Sequence, residues 1–208
     1  MMPTRRELLP ALASGLMIAR RAGATTGDAS AKQFIQRLGD RTLAVLDQPT
    51  SAPEKLSQLK QILDQATDLE LVARLVLGRY WRQATPEQHA EFVALFKELL
   101  MQTMAERMSW YNGQTFEITN SRLVDERDTM VATRILRPSG KPPILVDWRV
   151  RQGAGGYLLI DILAEGVSLV VTQRAEAAEV INQRGIDGLL AEMRTRLERR
   201  SNPPTSPR

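Results

Sequence analysis

Apolar residues recur every three to four positions through the first half of the chain and often every second position later, so helices are predicted first and strands after. Phe34, Ile35, Leu38, Thr42, Val45 and Leu46 mark one helix, and Leu56, Leu59, Ile62 and Leu63 mark a second, with Pro53 suited to its first turn. Asp68 is placed to cap a third helix bearing Leu71, Val72, Leu75 and Val76, and Gly78 to stop it. The fourth start is specified three ways: Thr85 as cap, Pro86 at the first helical position, and Gln88 closing a capping box. Running to about Ser109, this helix would be roughly 36 Å long at 1.5 Å per residue.

The turn Asn112-Gly113 opens the strand region, with strands predicted over residues 115–123, 130–137, 144–152 and 157–165. Pro- and Gly-rich stretches at 138–143 and 153–156 separate the last three, making neighbours antiparallel hairpin partners. In the third strand Val146, Trp148 and Val150 share one face, and Asp147, Arg149 and Arg151 share the other. The fourth is apolar on both faces, with Leu158, Ile160 and Ile162 on one and Leu159 and Leu163 on the other. Beyond Gly166 the chain turns; a helix ending at Gly185 then leads to another capped by Asp187. The predicted fold is α+β: helices packed on one side of a curved antiparallel sheet of about four strands, enclosing an apolar cavity.

Phe92, Leu95, Phe96, Leu99, Leu100, Met104 and Met108 form a broad stripe on the long helix. Such a stripe packs against a sheet or, in part, lines a cavity. Met101, Met104 and Met108 suit the second role, since unbranched thioethers adapt to a ligand of variable shape.

Three blocks stand out: Leu163-Ala164-Glu165-Gly166-Val167-Ser168-Leu169, then Gly185-Ile186-Asp187-Gly188-Leu189-Leu190, and Gly78-Arg79-Tyr80-Trp81 followed by Thr85-Pro86-Glu87-Gln88 and Phe92. Together they resemble the MlaC (toluene-tolerance, Ttg2-type) family. The resemblance implies a periplasmic phospholipid-binding carrier, without catalysis or cofactor, whose bound phospholipid is cargo. It further implies a shuttle between an outer-membrane lipoprotein complex and an inner-membrane ABC transporter with its membrane-anchored substrate-binding subunit, maintaining outer-membrane lipid asymmetry. The carrier is expected to be a monomer. Of the motif residues, Gly166, Ser168, Gly185, Asp187 and Gly188 are expected to be structural. The chain departs from the family at Ile160, where an aromatic is usual, and at Tyr157, where a tryptophan is usual.

The N-terminus fits export. Arg5-Arg6 ahead of Leu8-Leu9, a weakly apolar stretch, Arg20-Arg21 and Ala22-Gly23-Ala24 read as a twin-arginine-like signal peptide over residues 1–24. A lipid-binding domain is then expected over 25–197 and a disordered basic tail over 198–208. Arg5, Arg6, Arg20 and Arg21 against Glu7 supply most of the net +4, and five arginines against Glu198 from residue 194 onward outweigh the rest, so the intervening body is net negative. A basic face for nucleic acid is therefore missing from the body, and no nucleic-acid partner is expected. No run of eighteen apolar residues follows the leader, so no spanning helix is expected.

Candidate chemistry is sparse. There is no cysteine, and His89 is the one histidine, read as a surface residue; neither thiol catalysis nor a metal site is expected. Asp161 and Glu165 lie on one face of a strand about 13 Å apart, too far to act on one bond. Ser168 has no base beside it in sequence. A lipid carrier needs something else: each acyl methylene left in water costs about 0.8 kcal/mol, so a chain of about sixteen carbons amounts to on the order of 13 kcal/mol, which only an enclosed apolar site removes from water. The headgroup must stay at its mouth. Candidate lining residues are Phe92, Phe96, Leu99, Leu100, Met104, Met108, Val146, Trp148, Val150, Ile160, Ile162, Val167 and Leu169. Alternatives are carriage of a hopanoid- or sterol-like ligand, or an enzyme on a cone-shaped α+β scaffold using Asp161 or Glu165 as base.

Overall fold

The computed structural model describes residues 24–201, so the signal-peptide reading and the last residues of the chain lie outside the described residues, apart from Ala24 itself. Four helices come first: α1 (Ala24–Leu46), α2 (Ala52–Ala66), α3 (Leu69–Leu77) and, after a 3₁₀ turn at Gly78–Arg82, α4 (Pro86–Met108). Strands β1 (Thr115–Leu123), β2 (Asp128–Leu136), β3 (Ile144–Gly153), β4 (Gly156–Ala164) and β5 (Val167–Ser168) follow, and α5 (Leu169–Ser201) closes the fold. The strands form one antiparallel meander in the order β1-β2-β3-β4-β5, a fifth short strand more than the pattern predicts.

Local chemistry sets the helix boundaries. Ser51 and Glu54 form a capping box with Pro53 in the first turn of α2. Asp68 Oδ1 accepts the Leu71 N–H at 3.0 Å, and α3 stops at Gly78, whose φ of 54° suits a residue without Cβ. Thr85 and Gln88 exchange hydrogen bonds at the start of α4, as the sequence predicts. Gly185, at φ 71° and ψ −178°, breaks α5 into two helical runs. The second run continues to Ser201, so residues 198–201 are helical rather than part of a disordered tail.

Three core clusters result. The largest lies among α3, α4 and α5, where Leu77, Phe92 and Leu190 are fully buried. Ala31 and Ile35 of α1 pack on Val131, Val150 and Leu159 of the sheet, and Val45 meets Leu59 and Ile62 between α1 and α2. One register detail overturns the predicted alternation in β4. Trp148 pairs with Ile162, Arg149 with Asp161 and Val150 with Leu159, so Ile160 is an extra, bulged residue. Leu159 and Ile162 thereby join Trp148 and Val150 in one cluster, from which Ile160 is absent.

On the opposite face of β3 the charges are organised by Asp128. Its carboxylate is fully buried and accepts from Arg151 Nε at 2.6 Å and Arg149 Nη2 at 2.6 Å. The guanidinium of Arg151, helped by that of Arg149, holds the Asp128 carboxyl below the usual carboxylate range against the opposing effect of burial.

Candidate functional site

Beside the contacts that α1 makes with the sheet and with α2, a cavity of about 310 Å³ remains between α1, α2 and the sheet. Helix α1 contributes Ile35, Leu38, Gly39, Thr42 and Leu43, and α2 contributes Leu59, Ile62, Leu63 and Ala66, with Thr67 just beyond. Only Leu100 and Met104 come from α4. The sheet supplies Phe116, Ile135, Trp148, Leu159 and Ile162, with Gln114 and Thr115 at the start of β1. No lining residue is charged.

The few polar groups are nearly all turned away. Trp148 Nε1 donates to Thr133 Oγ1 at 2.9 Å, and that hydroxyl donates to Val146 O at 2.8 Å, so the indole shows the cavity its apolar body. Thr42 Oγ1 donates to Leu38 O at 2.8 Å. At Gly39 the bare backbone of α1 takes the ring of Phe116: an added Cβ would stand 2.1 Å from Phe116 Cζ. Nearby, the Tyr111 hydroxyl donates to Asp47 Oδ1 at 2.6 Å, tying the segment before β1 to the end of α1; that hydrogen bond, with some burial, pushes the phenol up to about 12.

Of the residues predicted to line a cavity, Leu100, Met104, Trp148 and Ile162 face this one. Phe92, Phe96 and Leu99 instead belong to the packing of α3, α4 and α5, with the Phe92 and Phe96 rings stacked 6.0 Å apart. Met108 packs on the Val45, Leu59, Ile62 cluster, and Val150 is filled in under α1. Val146 is half-buried outside the lining, and Ile160 is buried at the bulge. Val167 and Leu169 are 59% and 49% exposed, because β5 is the sheet edge and α5 begins there. The walls from α1 and α2 are what sequence reasoning missed. A glycine inside a helical pattern, Gly39, was the available sign of a close approach.

The motif residues sit in connections away from the cavity. Ser168 Oγ donates to Asp161 Oδ2 at 2.5 Å and accepts the Val171 N–H at 3.0 Å, while Asp161 Oδ1 accepts the Ile162 and Val170 N–H groups at 2.8 and 3.1 Å. Strand β4 is thus bound to the first turn of α5, and Ser168 does have a carboxylate beside it, one committed to backbone donors. Gly166, at φ 79°, forms the turn between β4 and β5. Gly185 makes the break in α5; Asp187, expected as a cap, accepts from Gln88 Nε2 at 2.7 Å, and Gly188 leaves space filled by Arg184. Glu165 Oε1 accepts the Leu145 N–H at 2.8 Å. His89, expected on the surface, is half-buried and stacked on Trp81 at 3.9 Å, its Nε2 2.6 Å from Trp81 O. Among the described residues no group of three or more His, Cys, Asp or Glu side chains could hold a metal, and no helix is long and apolar enough to cross a membrane.

Comparison with known proteins agrees with this architecture. The intermembrane phospholipid transport system binding protein MlaC of Haemophilus influenzae is 29% identical over 129 residues, 61% of this chain and 60% of that protein. The toluene tolerance protein ttg2D of Pseudomonas putida is 24% identical over 130 residues, 62% of this chain and 60% of that protein. The chain therefore spans about 60% of the length of these two relatives. A phospholipid-binding protein from Ralstonia solanacearum, solved in complex with a phospholipid, superposes with a TM-score of 0.73 at 28% identity, covering 84% of this chain and 99% of that one. The model of the MlaC protein family matches residues 36–195, and the chain belongs to that family.

Proposed function

We propose that this protein is a periplasmic phospholipid-binding carrier, moving lipid between an outer-membrane lipoprotein complex and an inner-membrane ABC transporter through that transporter's membrane-anchored subunit. The observation that carries this reading is the uncharged cavity of about 310 Å³ between α1, α2 and the sheet. Its walls are apolar and its lining holds no cation, which suits hydrocarbon and not a charged headgroup. The volume is at the low end of small-ligand sites, roughly 300–1,000 Å³, so two acyl tails require a wall to yield. Phe116, on the edge strand and seated on Gly39, is the wall element placed to do so.

The names of the Haemophilus and Pseudomonas relatives and the phospholipid held by the Ralstonia protein support the same reading. The leader at residues 1–24 supports the periplasm, with the twin-arginine route as the proposed entry. Asp161 and Glu165, the carboxylates an enzyme would need, are engaged by backbone N–H groups and stand outside the lining, which favours a binder. Mass spectrometry of lipid extracted from protein purified without detergent tests the proposal. A diacyl phospholipid near one per chain is expected; a polycyclic mass would redirect the reading to a hopanoid- or sterol-like cargo, and an empty extract would contradict it.

A further inference from the structure

One residue of the cavity wall carries a buried polar group that the fold leaves unused. Thr67, at the junction of α2 and α3, lines the cavity, is only 9% exposed, and its hydroxyl has no hydrogen-bond partner among the described residues. Its own N–H is satisfied, donating to Leu63 O at 2.9 Å. The other polar side chains differ. Thr42 bonds to Leu38 O, Gln114 Nε2 donates to Trp110 O at 3.0 Å while its Oε1 accepts the Asn112 N–H at 2.8 Å, and Thr115 is exposed at the rim.

A hydroxyl kept from water without a partner destabilises the fold, and native interiors rarely keep one. A threonine hydroxyl offers one donor and two acceptor positions. With no arginine or lysine in the lining, an anionic phosphate has no countercharge at this depth; a neutral carbonyl asks only for one donor. We propose that Thr67 is a ligand-positioning residue whose hydroxyl donates to an ester carbonyl of the bound diacyl lipid, setting how far the tails enter the cavity and distinguishing ester-linked from ether-linked chains. This rests on the phospholipid-carrier reading and adds the subsite at which the acyl linkage is read.

The test compares two phosphocholine lipids of identical headgroup and chain length, one diester and one diether, loaded from cyclodextrin onto delipidated protein and quantified by native mass spectrometry. Wild type should hold the diester about 3- to 10-fold more strongly, the range a single hydrogen bond supplies. Thr67→Val should bring the ratio to about 1 and Thr67→Ser should retain it. Lipid-free Thr67→Val should melt at or above the wild-type temperature, because a buried hydroxyl without a partner has been replaced by a methyl of the same shape. A merely structural threonine would lower the melting temperature and leave the ratio alone. Equal binding of both lipids by wild type, or an unchanged ratio in Thr67→Val, overturns the assignment of Thr67 while leaving the carrier reading intact; failure of both lipids to bind overturns the two together.

Discussion

The two ends of helix α4 have similar composition and opposite surroundings. Toward its N-terminus Phe92, Phe96 and Leu99 are pressed among α3 and α5, and Phe92 is 2% exposed. Toward its C-terminus Leu100 and Met104 border the cavity, Met104 also packing on Val45, Leu59 and Ile62. The difference lies in the neighbours: the apolar side of α5 packs on the first half and its end meets the second through Arg200, bonded to Thr103 and paired with Glu106, whereas α1 and α2 stand across the cavity from Leu100 and Met104. An apolar stripe therefore states that a helix is covered without saying by what. In this fold one part stabilises the native state and the other borders a cavity.

Mutations sharpen that contrast, and the largest loss is expected in the packed half. Phe92→Ala should cost about 3–5 kcal/mol in urea denaturation while the surviving folded protein keeps its lipid. Asp128→Asn, which leaves two arginines around a neutral group, should cost about 2–4 kcal/mol at neutral pH. Its sign with pH is fixed. The folded carboxyl titrates below its unfolded value, so its stabilisation is complete above the ordinary carboxylate range and disappears as pH falls through the folded value; the wild-type advantage over Asp128→Asn should shrink in acid. Gly39→Ala would force the Phe116 ring off α1, with a loss of about 1–3 kcal/mol and altered lipid uptake in the cyclodextrin assay. Leu100→Ala, half-buried and facing open space on one side, should lose only about 1–2 kcal/mol and still carry lipid. Ala66→Phe, which grows into the cavity, should change stability by within about 1 kcal/mol yet abolish lipid retention.

Local chemistry made the architecture legible from sequence. Thr85, Pro86 and Gln88 fix the start of α4, Gly78 the end of α3, and the Pro- and Gly-rich stretches the hairpins, because each depends on residues a few positions apart. The cavity depends on distant contacts. Nothing near Ile160 announces the bulge that turns Leu159 inward beside Ile162, and a helical pattern in α1 reads alike whether its apolar face is filled or left open. The glycine motifs were conspicuous in sequence, yet Gly166 and Gly185 mark turns and breaks in the chain away from the cavity. Thr67, in contrast, looks like an ordinary residue ahead of the Asp68 cap, and only its burial without a partner distinguishes it.

The proposed carrier places its cargo's acyl chains against Trp148. Fluorescence of Trp148, isolated by Trp81→Phe and Trp110→Phe, should be strongly quenched when the protein is loaded with phospholipid brominated along its tails and unaffected by lipid brominated only on the headgroup. Retained lipid with an unquenched Trp148, or quenching by the headgroup label alone, would contradict it.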